Sequence, residues 1–241
     1  MKFFLLSMVF FFICSCRKNP NAPQNTETSI YESILDSSGN FIIKAKYPVS
    51  AQDTANGIKK LVDLIISQEK ENREKIDLPK IENLRVSIDY EEFDDPKNGI
   101  KSYLIKKHLK AGTEPETAKV WTIVFQNQKE IDIETFLDLS GDMDLQVTKL
   151  LSQHAMRQNK KMDKNLLDQG LGLYYLAADG KTLDPKKFHG DGYLFASNLQ
   201  NFVVEDSGFT FYFDSGAIAP NSEGVQKIHL TREQLKPFLR P

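Results

Sequence analysis

Phe202-Val203-Val204, the tight turn Asp206-Ser207-Gly208 and the run Phe209-Thr210-Phe211-Tyr212-Phe213 spell a β-hairpin near the carboxy terminus. Alternation along a strand places Phe209, Phe211 and Phe213 on one face. Those rings are core-facing, and a lone hairpin has no core to offer them. A further layer of chain must cover it.

The upstream pattern supplies such layers. Phe41 to Pro48 is a first strand that Pro48 stops. Ile58, Leu61, Val62, Ile65 and Ile66 then recur at helical spacing among Lys59, Lys60, Asp63 and Glu69, which predicts a helix from about Ala51 with one face against a sheet. Leu84, Val86, Ile88 and Tyr90 alternate with Arg85, Ser87 and Asp89, as in a half-buried strand. Ser102 to Leu109 and Val120 to Phe125 are two more strands, joined by the polar loop from Lys110 to Lys119, and a short strand at Glu130 to Ile133 continues the meander. A second long helix is expected from near Asp142, with Val147, Leu150, Leu151, His154 and Ala155 on one face. Val225 to Leu230 is a last strand, and Thr231 with Gln234 forms a capping box for a short final helix. The expected fold class is α+β without βαβ alternation: antiparallel sheet or sheets, two longer helices packed on them, a carboxy-terminal hairpin and a short final helix.

The amino terminus decides the compartment. Lys2 precedes the apolar run Phe3 to Ile13, which is too short to span a bilayer, and Ile13-Cys14-Ser15-Cys16 follows. An aliphatic residue, two small residues and a cysteine resemble the lipobox of bacterial lipoprotein signal peptides, with Cys16 as the lipidation site. The competing readings are a non-lipidated secretory signal and a buried helix, and the polar segment from Arg17 argues against the second. Residues 1–15 are therefore expected to be a signal peptide, and residues 16–30 a lipidated cysteine with a flexible tether poor in apolar residues. Residues 31–241 are expected to form one α+β domain, or two closely packed modules at 31–140 and 141–241. The implied location is the cell envelope, outside the cytoplasm and anchored to a membrane, with either leaflet open. With Cys14 removed and Cys16 acylated, no thiol remains for a disulfide, a thiolate metal site or a nucleophile.

Charge and motifs narrow the chemistry. The formal net charge of −2 is close to balance, which supplies no strong field for nucleic acid. No nucleotide site is expected, because Gly170-Leu171-Gly172-Leu173 lacks the third glycine of a dinucleotide fingerprint and no phosphate loop occurs. The four histidines, His108, His154, His189 and His229, have neither the spacing of a helical zinc motif nor a cysteine pair nearby, so no metal and no cofactor is expected. His154 is read as a satisfied core or border residue. Glu91-Glu92 with Asp94-Asp95 lacks the alternating ligands of a calcium loop and is read as an acidic strand end. His189-Gly190-Asp191-Gly192-Tyr193 keeps imidazole, carboxylate and phenol close on a flexible backbone, which makes His189 and Asp191 the candidates for a catalytic or binding role against the alternative of a plain surface loop.

Asn201 to Asp214, followed by Ile218-Ala219-Pro220, Gly224 and the strand to Leu230, resembles a known signature. It is that of the domain of unknown function shared by RsiV-type anti-sigma factors and PdaC-type peptidoglycan deacetylases. Ile43 to Pro48 with the helix after it resembles the companion amino-terminal module of the same proteins. The family's Gly-Gly-Ala-His-like loop is replaced here by Ala111-Gly112-Thr113-Glu114, so a role tied to that histidine does not carry over. In the RsiV-type relatives the domain binds lysozyme, and in the deacetylases it accompanies a catalytic domain acting on wall glycan.

The resemblance implies a non-catalytic envelope module whose ligand is cell-wall glycan, a glycan-cleaving enzyme such as lysozyme, or another envelope protein. A small envelope glycan hydrolase or deacetylase using His189 and Asp191 is the alternative, and a structural or host-facing surface lipoprotein is a third reading. The loop carrying Ile218, Pro220 and Asn221 is expected to have a shaping role in preference to ligand contact. Cys16→Ser is expected to abolish acylation, seen as loss of fatty-acid-analogue labelling and of partition into the detergent phase; unchanged partition would refute attachment through Cys16.

Overall fold

The structure is a computed structural model that describes residues 27–34, 41–49, 53–75, 84–159, 162–190 and 192–240. Cys16, the signal segment and Asp191 lie outside the described residues. Among the described residues nine strands form two sheets. The larger has the order β1 (Glu27–Ile34), β2 (Phe41–Val49), β3 (Leu84–Asp95), β4 (Ile100–Ala111), β5 (Thr117–Gln126) and β6 (Lys129–Ile131). The smaller is β7 (Phe202–Glu205), β8 (Gly208–Phe213) and β9 (Gln226–Thr231). Helices α1 (Asp53–Lys75), α2 (Met143–Gln158), α3 (Lys164–Gly170) and α4 (Arg232–Leu235) complete the α+β fold.

Two expectations need correction, and one helix had none. β1 begins at Glu27, inside the segment expected to be tether: its pairing with β2 supplies backbone partners that polar composition does not announce. β2 and β3 pair in parallel, so the larger sheet is mixed and β2–α1–β3 is a βαβ unit. Parallel strands need a crossover of a dozen or more residues, which α1 provides. α3 was not foreseen. Its signal is the single cap Asp163, whose carboxylate accepts from the amides of Asn165 and Leu166.

α1 buries Ile58, Val62, Ile65 and Ile66 on the face of the larger sheet formed by Phe41, Ile43, Ala45, Val86, Ile88, Ile105 and Phe125. The smaller sheet covers the opposite face. Val203 and Tyr212 meet Leu104 and Val120, while Phe209, Phe211 and Phe213 turn to α2 and pack with Val147 and Leu151. Ile100, Val124 and Ile133 belong to that same core, which therefore crosses the boundary between residues 140 and 141.

Hydrogen bonds from one sheet finish the edges of the other. β7 is an edge strand, and the amides of Val204 and Phe202 donate to Ser102 Oγ (3.0 Å) and Thr122 Oγ1 (2.9 Å). β5 has an open edge beyond its short pairing with β6. There the amides of Val120 and Ala118 donate to Asp214 Oδ1 (2.8 Å) and Ser215 Oγ (3.0 Å), and the Ser215 amide donates to the Ala118 carbonyl. Unpaired edge amides are costly when buried and hazardous when exposed. The two sheets remove each other's.

The acidic end of β3 is neutralised residue by residue: Glu91 pairs with Lys106, Glu92 and Asp94 with Lys101, and Asp95 with Arg232 at 2.5 Å. Asp95 is fully buried, and its carboxylate also accepts from Asn98 Nδ2 at 2.7 Å. Burial pushes the Asp95 carboxyl up, but the Asn98 hydrogen bond and the Arg232 charge together bring it below the usual range. Arg232 also lies over the Phe209 ring, 5.6 Å from its centroid, and so joins α4 to the β3–β4 turn and to the core.

Because the folded value of Asp95 is depressed, its contribution to stability is present above the unfolded value, about 3.9, and is lost as pH falls through the folded one. Arg232→Met is expected to destabilise by about 2–3 kcal/mol at pH 7. This is less than the roughly 3–5 kcal/mol of a fully buried pair, because a third of Arg232 reaches solvent. In urea unfolding the gap between variant and parent should narrow below about pH 4.

Candidate functional site

Residues 171–199, between α3 and β7, form the most elaborate loop of the described chain and carry His189. Its frame is polar. Asp179 accepts from the amides of Lys181 (2.8 Å) and Thr182 (3.0 Å) and from the Thr182 hydroxyl (2.7 Å), and these bonds hold its carboxyl down at about 2. Lys149 Nζ reaches from α2 to the Gly180 carbonyl at 2.6 Å, Asp144 accepts from the Ala196 amide, and Asn198 donates to the Leu171 carbonyl. The middle and the far end of the loop are thereby fixed to α2, and its two ends to each other.

Inside this frame the rings form a chain. Tyr174 meets Tyr175 at 5.7 Å between centroids, Tyr175 meets Phe188 at 5.4 Å and Tyr193 at 5.9 Å, and Tyr193 meets Phe195 at 4.8 Å. Tilted and edge-on pairs of this kind favour fixed geometry. Gly172, at φ +76°, is required here: a Cβ at that position would stand 2.3 Å from the Tyr193 ring. Burial, and then Tyr175, raise the Tyr193 phenol above its usual value. Phe195 and Leu176 anchor the chain on Leu145 of α2. At the surface end, Lys187 Nζ sits 5.1 Å over the Tyr174 ring. Tyr174 is 45% exposed and Leu194 66%, both large for apolar side chains on a frame this rigid.

His189 is exposed and has no partner among the described residues. Among the described residues no second titratable group meets it, and no group of three or more His, Cys, Asp or Glu is arranged to hold a metal. His108 contacts Glu116 at 2.9 Å, and His154 Nδ1 accepts from Gln234 Nε2 at 3.0 Å. Burial, followed by the charges of Arg157 and His229, lowers the His154 value. Sequence reasoning passed over Tyr174, Lys187 and Leu194. Their only signal is unusual aromatic density around a loop, which core residues also produce.

Ile218 and Ala219 are buried, whereas Pro220 and Asn221 are exposed. Ile218 packs in the core beside Leu167, Leu171 and Phe211. The strap from Asp214 to Ala219 runs from the β5 edge to the end of α3, where Gly170 allows contact so close that a Cβ would lie 1.9 Å from the Ala217 carbonyl oxygen.

Helix α2, the ring loop, the strap and the smaller sheet coincide with one family match: residues 144–233 fit DUF3298, a protein family of unknown function. The chain carries a DUF3298 domain. This is the family type anticipated from Asn201 to Leu230. The chain also resembles the crystal structure of a DUF3298 family member from Bacteroides fragilis, with TM-score 0.53 and 16% identity over 90% of this chain and 94% of that one. A DUF3298 family protein from Pseudomonas aeruginosa gives TM-score 0.59 and 10% identity over 90% and 95%. At such identities the likeness is one of fold. No curated protein matches the chain.

In the DUF3298 domain, Gly170→Ala is expected to cost about 3 kcal/mol through the clash with the strap, and Ile218→Ala about 2–5 kcal/mol. Asn221→Ala should stay within about 0.5 kcal/mol. Thermal and urea unfolding of the three variants check this order.

Proposed function

We propose that the chain is a binding module of the cell envelope, held outside the cytoplasm by lipid on Cys16, and that it docks a glycan-cleaving enzyme such as lysozyme through residues 171–199. The observation that carries the reading is the exposure of Tyr174, in a chain of paired rings, and of Leu194, which lies in the sequence between Tyr193 and Phe195 of that chain. Apolar and tyrosine anchors on a rigid frame are what protein interfaces concentrate their affinity in, since little ordering cost remains at binding. The resemblance of Asn201 to Leu230 to RsiV-type ectodomains is what favours this partner class. Among the described residues no helix is long and apolar enough to cross a membrane, which leaves anchoring to the amino terminus in this reading.

The test uses the full chain in detergent, immobilised and challenged with lysozyme, with sedimentation on purified peptidoglycan in parallel. Saturable lysozyme binding is expected, weakened about tenfold or more by Leu194→Asp and by Tyr174→Ala. Binding to peptidoglycan alone, lost in the same variants, would reassign the loop to glycan. Binding to neither would remove the proposal.

A further inference from the structure

On the smaller sheet a cavity of about 540 Å³ opens on the side of Thr210 and Tyr212. Its size falls in the range of small-molecule pockets, about 300–1,000 Å³. None of its lining residues belongs to the ring loop. Thr210 and His229 face each other directly across β8 and β9, as do Tyr212 and Lys227.

Thr210 organises the floor. Its Oγ1 lies 3.0 Å from Glu205 Oε2 and 2.9 Å from His229 Nδ1. A carboxylate only accepts, and the hydroxyl has a single proton. Thr210 must therefore donate to Glu205 and accept from Nδ1–H, and in the neutral imidazole the lone pair then lies on Nε2. Thr210 is 4% exposed, whereas the Glu205 and His229 side chains it bonds are partly open to the cavity, at 37% and 30% exposed.

Two acceptors consequently remain, Glu205 Oε1 and His229 Nε2, neither with a partner among the described residues. Donors surround them. Lys227 has no ion pair among the described residues, Gln158 brings a carboxamide from the end of α2, and the Tyr212 phenol is kept protonated by burial and by the charges of Glu91 and Glu205. Phe93 and Tyr212, with ring centroids 6.3 Å apart and planes inclined by 51°, supply an aromatic corner. A cationic ligand would meet Lys227, and an anionic one Glu205. A neutral ligand rich in hydroxyls uses both.

We propose that this cavity binds one unit of a neutral saccharide, with its ring C–H face on Phe93 and Tyr212. Its hydroxyls donate to Glu205 and to His229 Nε2, and its oxygens accept from Lys227 and Gln158. Thr210 is a positioning residue that presents both acceptors. This site is independent of the partner docked by the ring loop.

The experiment is calorimetric titration of the full chain, in a detergent without a sugar headgroup, with the soluble tetrasaccharide of β-1,4-linked N-acetylglucosamine. Saturable binding is expected, weakened about tenfold by Glu205→Gln and by Lys227→Met, since each loses a charge-assisted hydrogen bond. Thr210→Val should weaken it similarly and Thr210→Ser restore it, a rescue that a packing role would not show. Lys227 is exposed, so Lys227→Met tests the site even if Thr210→Val does not fold. Absence of saturable binding, or parental affinity in both Glu205→Gln and Lys227→Met, would overturn the proposal. So would loss of binding in Leu194→Asp, which would place the sugar on the loop.

Discussion

Side-chain oxygens that one sheet lends to the other's edge amides are the interaction on which the remaining structure depends. Ser102 and Thr122 take the free amides of β7, and Asp214 and Ser215 take those of β5. A strand edge inside a protein must find acceptors or stay at the surface. With both edges satisfied, the smaller sheet can lie across the larger with every residue of β8 buried. Apolar burial then supplies the bulk of the stability, but these bonds choose the alignment in which it occurs.

Both proposed sites follow from that alignment. Thr210 and His229 lie on the smaller sheet, and Phe93 joins them only because β3 passes beside β7. The ring loop begins at the end of α3, where the strap from Asp214 to Ala219 is seated against Gly170, and it ends at β7. A shift between the sheets would therefore deform the loop and the cavity together. Arg232, bonded to buried Asp95 and stacked over Phe209, restrains the same interface from the carboxy-terminal end.

Much of the fold was legible because burial leaves a periodic trace. Alternation over Leu84 to Tyr90, helical spacing over Ile58 to Ile66 and the triple phenylalanine of β8 each report one face of one element. The capping box of Thr231 and Gln234 was equally local, and both of its hydrogen bonds are present. β1, the parallel pairing of β2 with β3 and the short helix α3 were not legible. Pairing direction depends on where α1 returns the chain, and a seven-residue helix has too few turns to show a period.

The sequence by itself determined the α+β class and most strand and helix positions, since each is written in contiguous residues whose spacing matches the geometry of one element; the family came from resemblance over Asn201 to Leu230. Tertiary structure alone decided which isolated polar residues meet. Val204 with Ser102, Asp95 with Arg232, and Val120 with Asp214 are separated by 102, 137 and 94 positions. Glu205, Thr210 and His229, spread over three strands, become a single array only when the sheet closes. A single serine, aspartate or threonine has no period. Its role comes from what the fold places opposite it, which no local pattern records.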